Sequence, residues 1–177
     1  MAFEFAFLDW LQQFTHPVMD ALAVFFNWAG MHGELWILFG VILLLRRSTR
    51  KAGLAMLLAL LFYLLVGDMI LKPLFARPRP CDLNTLIQIL VERPNGHSFP
   101  SGHTSSAFAA AAALFCQNKR LGIPALVLAA FIGFTRLYLY VHFPTDVLAG
   151  ILLGLMLGAA ASALVNFAAK KRAEKKS

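Results

Sequence analysis

Runs of apolar residues, separated by polar segments, dominate the chain. Five runs reach or approach the roughly 20 residues that a helix needs to cross a bilayer. They cover residues 31–45, 52–70, 102–116, 121–140 and 146–169. Residues 11–30 are less apolar and contain Pro17, Asn27 and Gly30, so they fit either a short first span or a half-inserted helix. The pattern predicts an all-α, six-helix membrane bundle with five clear spans and a weak first one.

The segments outside the spans differ in composition. Residues 1–10 are rich in Phe and Trp, which predicts a helix lying in the membrane interface. Residues 73–99 form a polar, proline-rich loop, within which Leu83–Val91 has the pattern of a short amphipathic helix. Residues 170–177 form a basic tail. The length of the chain predicts a single domain over residues 1–177.

Composition indicates that the spans face lipid. Of the 177 residues, 59% are hydrophobic and 14% are charged, and the mean hydropathy is +0.69. A soluble domain is roughly 45–50% apolar and 25% charged. We therefore predict an integral membrane protein, with no soluble basic domain that would bind nucleic acid. No Cys/His spacing typical of zinc occurs, and we predict neither a metal nor a cofactor.

The basic residues divide into two groups. Clusters at residues 46–51, 119–120 and 170–176 contain four, two and five of them, eleven of the 16 in the chain. The other five are Lys72, Arg77, Arg79, Arg93 and Arg136. Alternating spans put the two groups on opposite sides, and the positive-inside rule makes the eleven cytoplasmic. The five extracytoplasmic cations run against that rule, which suggests that they serve a ligand.

The stretch Pro100-Ser101-Gly102-His103 opens the run 102–116 on the extracytoplasmic side. A helix that begins near Gly102 presents unpaired backbone N–H groups and its positive dipole end, both of which favour phosphate. Gly102 permits close approach to the backbone, Ser101 adds a hydroxyl, and His103 would reach an oxygen bound there. Alone, these residues also fit an ordinary helix start with Ser101 as the N-cap.

Arg136, His142 and Asp146 form a second cluster. A guanidinium near the end of a span is costly unless it serves a ligand or partner. His142 and Asp146 are four residues apart, so they share a face if helical geometry extends across Pro144. A carboxylate that accepts from one ring nitrogen leaves the other free as a nucleophile or base. A His–Asp pair that only caps the last helix would have the same spacing.

Lys72 and Arg79 supply further positive charge. Arginine binds two phosphate oxygens with its fork of N–H groups, whereas lysine acts as a point charge. The alternatives are snorkelling to the interface and an ion pair between Lys72 and Asp68, four residues earlier. We expect Arg77 and Arg93 to contact head groups or loop backbone rather than a reacting phosphate.

Together these residues resemble the type 2 phosphatidic acid phosphatase (PAP2) family, whose pattern is Lys-x6-Arg-Pro, then Pro-Ser-Gly-His, then Ser-Arg-x5-His-x3-Asp. Here the pattern reads Lys72…Arg79-Pro80, Pro100-Ser101-Gly102-His103 and Thr135-Arg136…His142…Asp146. One departure is Thr135, where the family usually has Ser. The resemblance implies a PAP2/haloperoxidase-like helical core. The haloperoxidases of this fold are soluble, which disfavours that activity here.

The resemblance also implies a role for each matched residue. His142 would attack phosphorus and form a phosphohistidine, Asp146 would orient it, and His103 would protonate the leaving oxygen. The phosphoryl oxygens would be held by Lys72, Arg79, Ser101, Gly102 and Arg136. Water would then release phosphate without a metal.

The function these residues favour is that of a multi-pass lipid phosphatase in the cell membrane, with its site on the extracytoplasmic side. Short members of the family act on undecaprenyl diphosphate, phosphatidylglycerol phosphate or phosphatidic acid, and we favour the first. One alternative is a phosphotransferase that moves the phosphoryl group to a second lipid. Another is a non-catalytic lipid-phosphate transporter or binding protein, which would not require a nucleophile and an acid.

Gly150, Gly154 and Gly158 repeat every four residues in the last span. Small residues at this spacing allow two helices to approach closely. They fit either the face of a homodimer or packing inside the bundle, and we favour packing.

Overall fold

The computed structural model of the chain describes residues 1–30 and 33–175. Over those residues its regular structure is entirely helical, which confirms the all-α prediction. The elements are α1 (Ala2–Leu11), a 3-10 turn (Gln12–Phe14), α2 (Pro17–Ala29), α3 (Glu34–Leu45), α4 (Arg50–Tyr63), a π-helical segment (Leu64–Leu71), α5 (Lys72–Phe75), α6 (Pro80–Leu83), α7 (Gly102–Gln117), α8 (Lys119–Tyr138) and α9 (Pro144–Glu174). Met31 and His32 of the predicted second span, and Lys176 and Ser177 of the predicted tail, lie outside the described residues.

Six helices correspond to the six predicted spans, but they differ in length. In the described ranges, three helical stretches are each long and apolar enough to cross a membrane: Arg50–Leu83, Lys119–Tyr138 and Pro144–Glu174. Helices α2 and α3 pass that test only as a pair, which bends by 63° at the break between them. Helix α7 has 16 residues, fewer than the roughly 20 of a full span. The multi-pass prediction is confirmed, whereas helix length supports three or four spans rather than five clear ones.

Helix α7 is the centre of the bundle and packs against α9, α8 and α4. Its sequence is rich in alanine, and its residues from Thr104 to Leu114 are all buried. A Cβ added to Gly154 would lie 2.6 Å from Phe108 Cβ, and one added to Gly158 would lie 2.4 Å from the carbonyl oxygen of Ala109. The glycine repeat therefore seats α9 on α7 within one chain, as the packing interpretation predicted.

We expect Gly158→Val to destabilise the fold, because its side chain has no room beside the backbone of α7. Overpacking of this kind costs about 1–3 kcal/mol, and more where backbone must move. The measurement is the melting temperature in detergent. Met156→Val is the matched control, since Met156 lies on the exposed face of the same helix. Equal melting temperatures for the two variants would contradict the close contact between α7 and α9.

The segment predicted as an amphipathic helix is not one. Helix α6 ends at Leu83, and residues 84–99 contain no regular helix, so the prediction for Leu83–Val91 is wrong. Side chains hold this loop instead. Arg93 donates to the carbonyl oxygen of Cys81, and Asn84 Nδ2 donates to the Tyr140 hydroxyl over 3.2 Å. Loop residues thus acquire their conformation from distant partners rather than from local helix formation.

The turn between α8 and α9 carries His142 and has an unusual backbone. Tyr140 adopts φ +59°, a left-handed conformation that is uncommon for a bulky side chain and is retained where surrounding structure enforces it. Its hydroxyl donates to Asp9 Oδ1 of α1 over 2.7 Å, and burial raises the pKa of Tyr140 to about 12. Asp9 therefore docks the N-terminal helix against the turn between α8 and α9.

Candidate active site

Residues from distant parts of the chain line one cavity of about 1020 Å³, at the end of the bundle where α7 and α9 begin. The predicted site residues on its wall are Lys72, Arg79, Gly102, His103, Arg136 and His142. Ser101 and Asp146, each next to this wall, are fully buried. The fold therefore brings the three polar clusters of the sequence together.

The contacts of His142 define its protonation state. Arg79 Nη1 lies 3.2 Å from His142 Nε2, and a guanidinium can only donate, so Nε2 is the acceptor. The ring proton is then on Nδ1, which faces Asp146 Oδ2 at 3.7 Å. Burial lowers the pKa of His142 to about 4; interaction with Asp146 opposes this shift, and the charge of Arg79 reinforces it. At neutral pH the imidazole is uncharged, and its Nε2 lone pair accepts from Arg79, a residue of the cavity wall.

Asp146 is held by donors on both carboxylate oxygens. Arg77 Nη1 lies 2.5 Å from Oδ1. Oδ2 accepts from the backbone N–H of Phe143 over 2.8 Å and from the Ser98 hydroxyl. Asp146 therefore caps α9, as one interpretation of the sequence held, and also faces His142. Satisfied in this way, the carboxylate is a fixed anion that can orient an imidazole.

Two of these donors differ from the sequence expectation. Arg77 was expected to contact head groups or loop backbone, and that prediction is wrong because its guanidinium binds the Asp146 carboxylate. Ser98 was not predicted at all. It lies three residues before Ser101, just outside the recognised pattern, and nothing in its local sequence points to a carboxylate 48 positions away.

The start of α7 forms the floor of the cavity. The Ser101 N–H donates to the carbonyl oxygen of Asp146 over 3.0 Å, and its hydroxyl pairs with that of Thr104 over 2.9 Å. Ser101 thus ties α7 to α9, and its hydroxyl makes no N-cap bond to the helix backbone. A Cβ on Gly102 would lie 2.8 Å from the Tyr63 hydroxyl and 3.2 Å from Lys72 Nζ. Any side chain at Gly102 would therefore fill the space beside the lysine.

Asn27 of α2 connects two further predicted site residues, His103 and Arg136. Its carbonyl oxygen lies 3.2 Å from His103 Nε2, which therefore carries a proton. Its side-chain Oδ1 accepts from Arg136 Nη1 over 2.8 Å. Arg136 also donates to the Thr135 hydroxyl, over 3.2 Å from Nε and 2.9 Å from Nη2, and that hydroxyl donates to Ile132. Thr135 thus orients Arg136. The sequence signalled Asn27 only as a polar interruption of an apolar run.

The π-helical segment and the two residues that flank it bring three polar side chains to the cavity: Tyr63, Asp68 and Lys72. In a π-helix residues five apart share a face, and Tyr63 donates to Asp68 over 2.6 Å. Asp68 Oδ1 also lies 2.6 Å from Lys72 Nζ, so the ion pair considered from the sequence is present. Lys72 nevertheless lines the cavity, since the pair is only partly buried.

An apolar groove leads away from this polar end. The cavity wall continues along side chains of α2, α3, α4 and the start of the π-helical segment: Val24, Trp28, Ile37, Leu57, Leu60, Leu61 and Leu64. Several are open on the outer surface, among them Trp28 at 71% exposure. In a chain whose helices face lipid, such a groove accommodates hydrocarbon, while the cationic end suits an anion.

Comparisons with known proteins agree with this arrangement. Residues 48–170 match the family model of the PAP2 superfamily. The chain is 30% identical over 137 residues to the undecaprenyl-diphosphatase of Sulfolobus acidocaldarius, covering 77% of this chain and 66% of that protein. It is 28% identical over 147 residues to undecaprenyl-diphosphatase BcrC of Bacillus subtilis, covering 81% and 73%.

A solved structure of a PAP2-type phosphatase has a fold similar to that of this chain. A transmembrane PAP2-type phosphatidylglycerolphosphate phosphatase from Bacillus subtilis superimposes on the chain with a TM-score of 0.74 and 27% sequence identity. The superposition covers 96% of this chain and 86% of the other. In sequence, by contrast, the chain spans just under two thirds of the Sulfolobus relative and about three quarters of the Bacillus one.

Proposed function

The chain belongs to the PAP2 superfamily, and from this membership and the geometry of the cavity we propose that it hydrolyses the phosphate of a membrane lipid phosphate or diphosphate. The observation that carries the proposal is the junction of an apolar groove with a cationic pocket that contains two histidines. The groove suits a lipid tail, and Lys72, Arg79 and Arg136 suit the phosphate. A nucleophile candidate and an acid candidate lie on the same wall.

The proposed reaction has two steps. His142 Nε2 attacks phosphorus and the bond from phosphorus to the leaving oxygen breaks, while His103 gives that oxygen a proton. Water then attacks the phosphohistidine, His103 takes a proton from the water, and the P–N bond breaks to release phosphate. Asp146 stabilises the positive charge that develops on the His142 ring. The arginines stabilise the charge on the phosphoryl oxygens in place of a metal.

For the substrate we propose undecaprenyl diphosphate, because two similar proteins carry that activity in their names. The apolar groove does not distinguish a prenyl tail from an acyl tail. Phosphatidylglycerol phosphate and phosphatidic acid are therefore part of the test. It measures phosphate release by the purified protein in detergent and excess EDTA, across a panel of lipid phosphates and diphosphates.

The expected result is metal-independent release, fastest from undecaprenyl diphosphate. Release from a different lipid would change the substrate but keep the function. If no lipid releases phosphate, transfer to an added acceptor lipid would favour the phosphotransferase. Binding without turnover would favour a non-catalytic lipid-phosphate protein. Loss of release in EDTA, restored by a divalent cation, would contradict the mechanism.

We further propose that the site opens on the extracytoplasmic side. The direction of the helices supports this orientation. The basic residues lie at the end of α3, the start of α4, the junction of α7 and α8, and the end of α9. Lys72 and His142 lie at the opposite ends of these helices. By the positive-inside rule those basic ends are cytoplasmic.

Cysteine labelling tests this orientation. In a Cys116→Ser background, we expect Leu86→Cys to react with an impermeant maleimide on intact cells, because Leu86 is 93% exposed in the site-side loop. Ser48→Cys, in the basic turn between α3 and α4, should react only after permeabilisation. The reverse pattern would invert the orientation. The same background without a new cysteine corrects for Cys81, which is buried.

The lowered pKa of His142 predicts an acid-tolerant first step. The attacking nitrogen must be unprotonated, and a group with a pKa of about 4 stays neutral until the pH falls through that value. We expect kcat/KM, which reports the free enzyme, to fall below about pH 4 rather than near the usual histidine value of about 6.5. The ionisation of the substrate phosphate is measured separately by 31P NMR, and the pH profile of kcat/KM is corrected for it. An acid limb centred near pH 6.5 would contradict the assigned environment of His142.

A further inference from the structure

The carboxylate beside His142 is connected to the N-terminal helix. The Arg77 guanidinium lies between two carboxylates, with Nη1 2.5 Å from Asp146 Oδ1 and Nη2 2.8 Å from Glu4 Oε2. Thr145 joins the same group, because its hydroxyl accepts from Arg77 Nη1 over 2.7 Å and donates to Glu4 Oε1 over 2.6 Å. The guanidinium also lies over the Phe143 ring, 4.1 Å from its centroid.

These contacts are protected from solvent, so they fix the geometry of the site more strongly than ion pairs on an open surface would. The side chains of Glu4 and Arg77 are only 12% and 17% exposed, and that of Asp146 is fully buried. Ion pairs on an open surface contribute little, but buried, hydrogen-bonded ones fix geometry and resist screening by salt. Both oxygens of Glu4 are used, one by Arg77 and one by Thr145. Glu4 therefore fixes the orientation of Arg77 and balances part of its charge.

We propose that Glu4 is a positioning residue for the His142–Asp146 pair and acts on it through Arg77 and Thr145. The inference rests on the proposed function and deepens it. Helix α1 then belongs to the framework of the site rather than serving only as a membrane-surface segment. Without the Glu4 carboxylate, the Arg77 guanidinium keeps only its contacts with Asp146, Thr145 and Phe143. Its positive charge, no longer balanced by Glu4, then competes more strongly with the His142 ring for Asp146.

The expected consequence concerns the rate of the chemical step rather than substrate binding. His142 gains positive charge as it attacks phosphorus, and Asp146 stabilises that charge most when its Oδ2 is held toward Nδ1. Glu4 does not line the cavity. Its loss should therefore lower kcat and leave KM nearly unchanged. Residues that orient a directly acting group typically contribute roughly 10- to 100-fold.

The test compares Glu4→Gln with Asp9→Asn in the full-length protein. Each substitution removes one negative charge from α1 and keeps an amide oxygen as acceptor. Asp9 also anchors α1 to the α8–α9 turn, through the Tyr140 hydroxyl at 2.7 Å, but it makes no contact with Asp146. A role limited to docking α1 would give both variants the same loss. We expect kcat to fall about 10-fold or more for Glu4→Gln and less than about twofold for Asp9→Asn.

A second readout requires no turnover. The 15N chemical shifts of His142 report which ring nitrogen carries the proton and how strongly the Nδ1 proton interacts with its neighbours. We expect the Nδ1–H form in all three proteins, because Arg79 donates to Nε2, and a changed Nδ1 shift only in Glu4→Gln, where the position of Asp146 beside Nδ1 is altered. This measurement separates the two proposals, because it holds even if the protein hydrolyses no lipid. An Nδ1 shift in Glu4→Gln equal to that of the wild type, or equal losses of kcat in the two variants, would overturn the role of Glu4.

Discussion

Replacing His142 by alanine is expected to abolish lipid phosphate hydrolysis while the protein stays folded. The reason is that His142 Nε2 is the atom that would form the bond to phosphorus. Removing a residue that acts covalently costs on the order of 10⁴-fold or more in kcat. The rest of the site is retained, because Asp146 keeps its contacts with Arg77, Ser98 and the Phe143 N–H.

The assay is phosphate release in EDTA, with circular dichroism and melting temperature to verify the fold. His97→Ala is the matched control, since His97 is an exposed histidine on the loop that leads into the site. We expect it to retain wild-type turnover. Brief mixing with 32P-labelled substrate should give an acid-labile, protein-bound phosphate in the wild type and none in His142→Ala. Near-normal turnover of His142→Ala would remove it as the nucleophile.

Much of the helix pattern could be predicted because hydrophobic runs are a local signal. Helix α3 (Glu34–Leu45) ends where the run predicted at residues 31–45 ends, and α7 begins at Gly102, as the Pro-Ser-Gly turn indicated. The amphipathic helix predicted at Leu83–Val91 failed for a physical reason. Contacts between the loop and distant residues, such as Asn84 with Tyr140, override a weak local preference.

In the candidate site, too, local spacing could be predicted from the sequence, whereas contacts between distant residues could not. Spacing placed His142 and Asp146 together because they are four residues apart. It did not reveal Asn27 or Ser98, whose partners lie 109 and 48 positions away and are met only through tertiary packing. Ser101 was predicted to hold phosphate, yet its N–H and hydroxyl bind other protein groups in the wall. A sequence pattern identifies which residues matter, whereas packing decides which of them reach the ligand.

The second large effect is expected for Arg79, whose guanidinium is fixed beside His142, the proposed nucleophile. Its Nε donates to the Gly96 carbonyl over 3.1 Å, and Nη1 donates to the Val141 carbonyl over 3.1 Å and lies 3.2 Å from His142 Nε2. The side chain is only 5% exposed. With Nη2 3.4 Å from the Asn95 carbonyl oxygen, these anchors fix the guanidinium beside Nε2, so a phosphoryl group attacked by His142 would lie against its N–H groups. Lysine keeps the charge but cannot reproduce the planar fork of a guanidinium.

We therefore expect Arg79→Lys to lower kcat/KM by roughly 10²–10³-fold, the cost of removing one pre-organised donor to a developing oxyanion. Arg79→Ala, which also removes the charge, should lose roughly 10³–10⁵-fold. Arg93→Lys is the control, because Arg93 lines the same cavity from a loop but is 40% exposed and directs its N–H groups to loop carbonyls. A lysine variant within about tenfold of the wild type would mean that charge alone suffices. An alanine variant as active as Arg93→Lys would contradict phosphate binding by Arg79. Melting temperatures of all three variants separate loss of the donor from loss of the loop anchors at Gly96 and Val141.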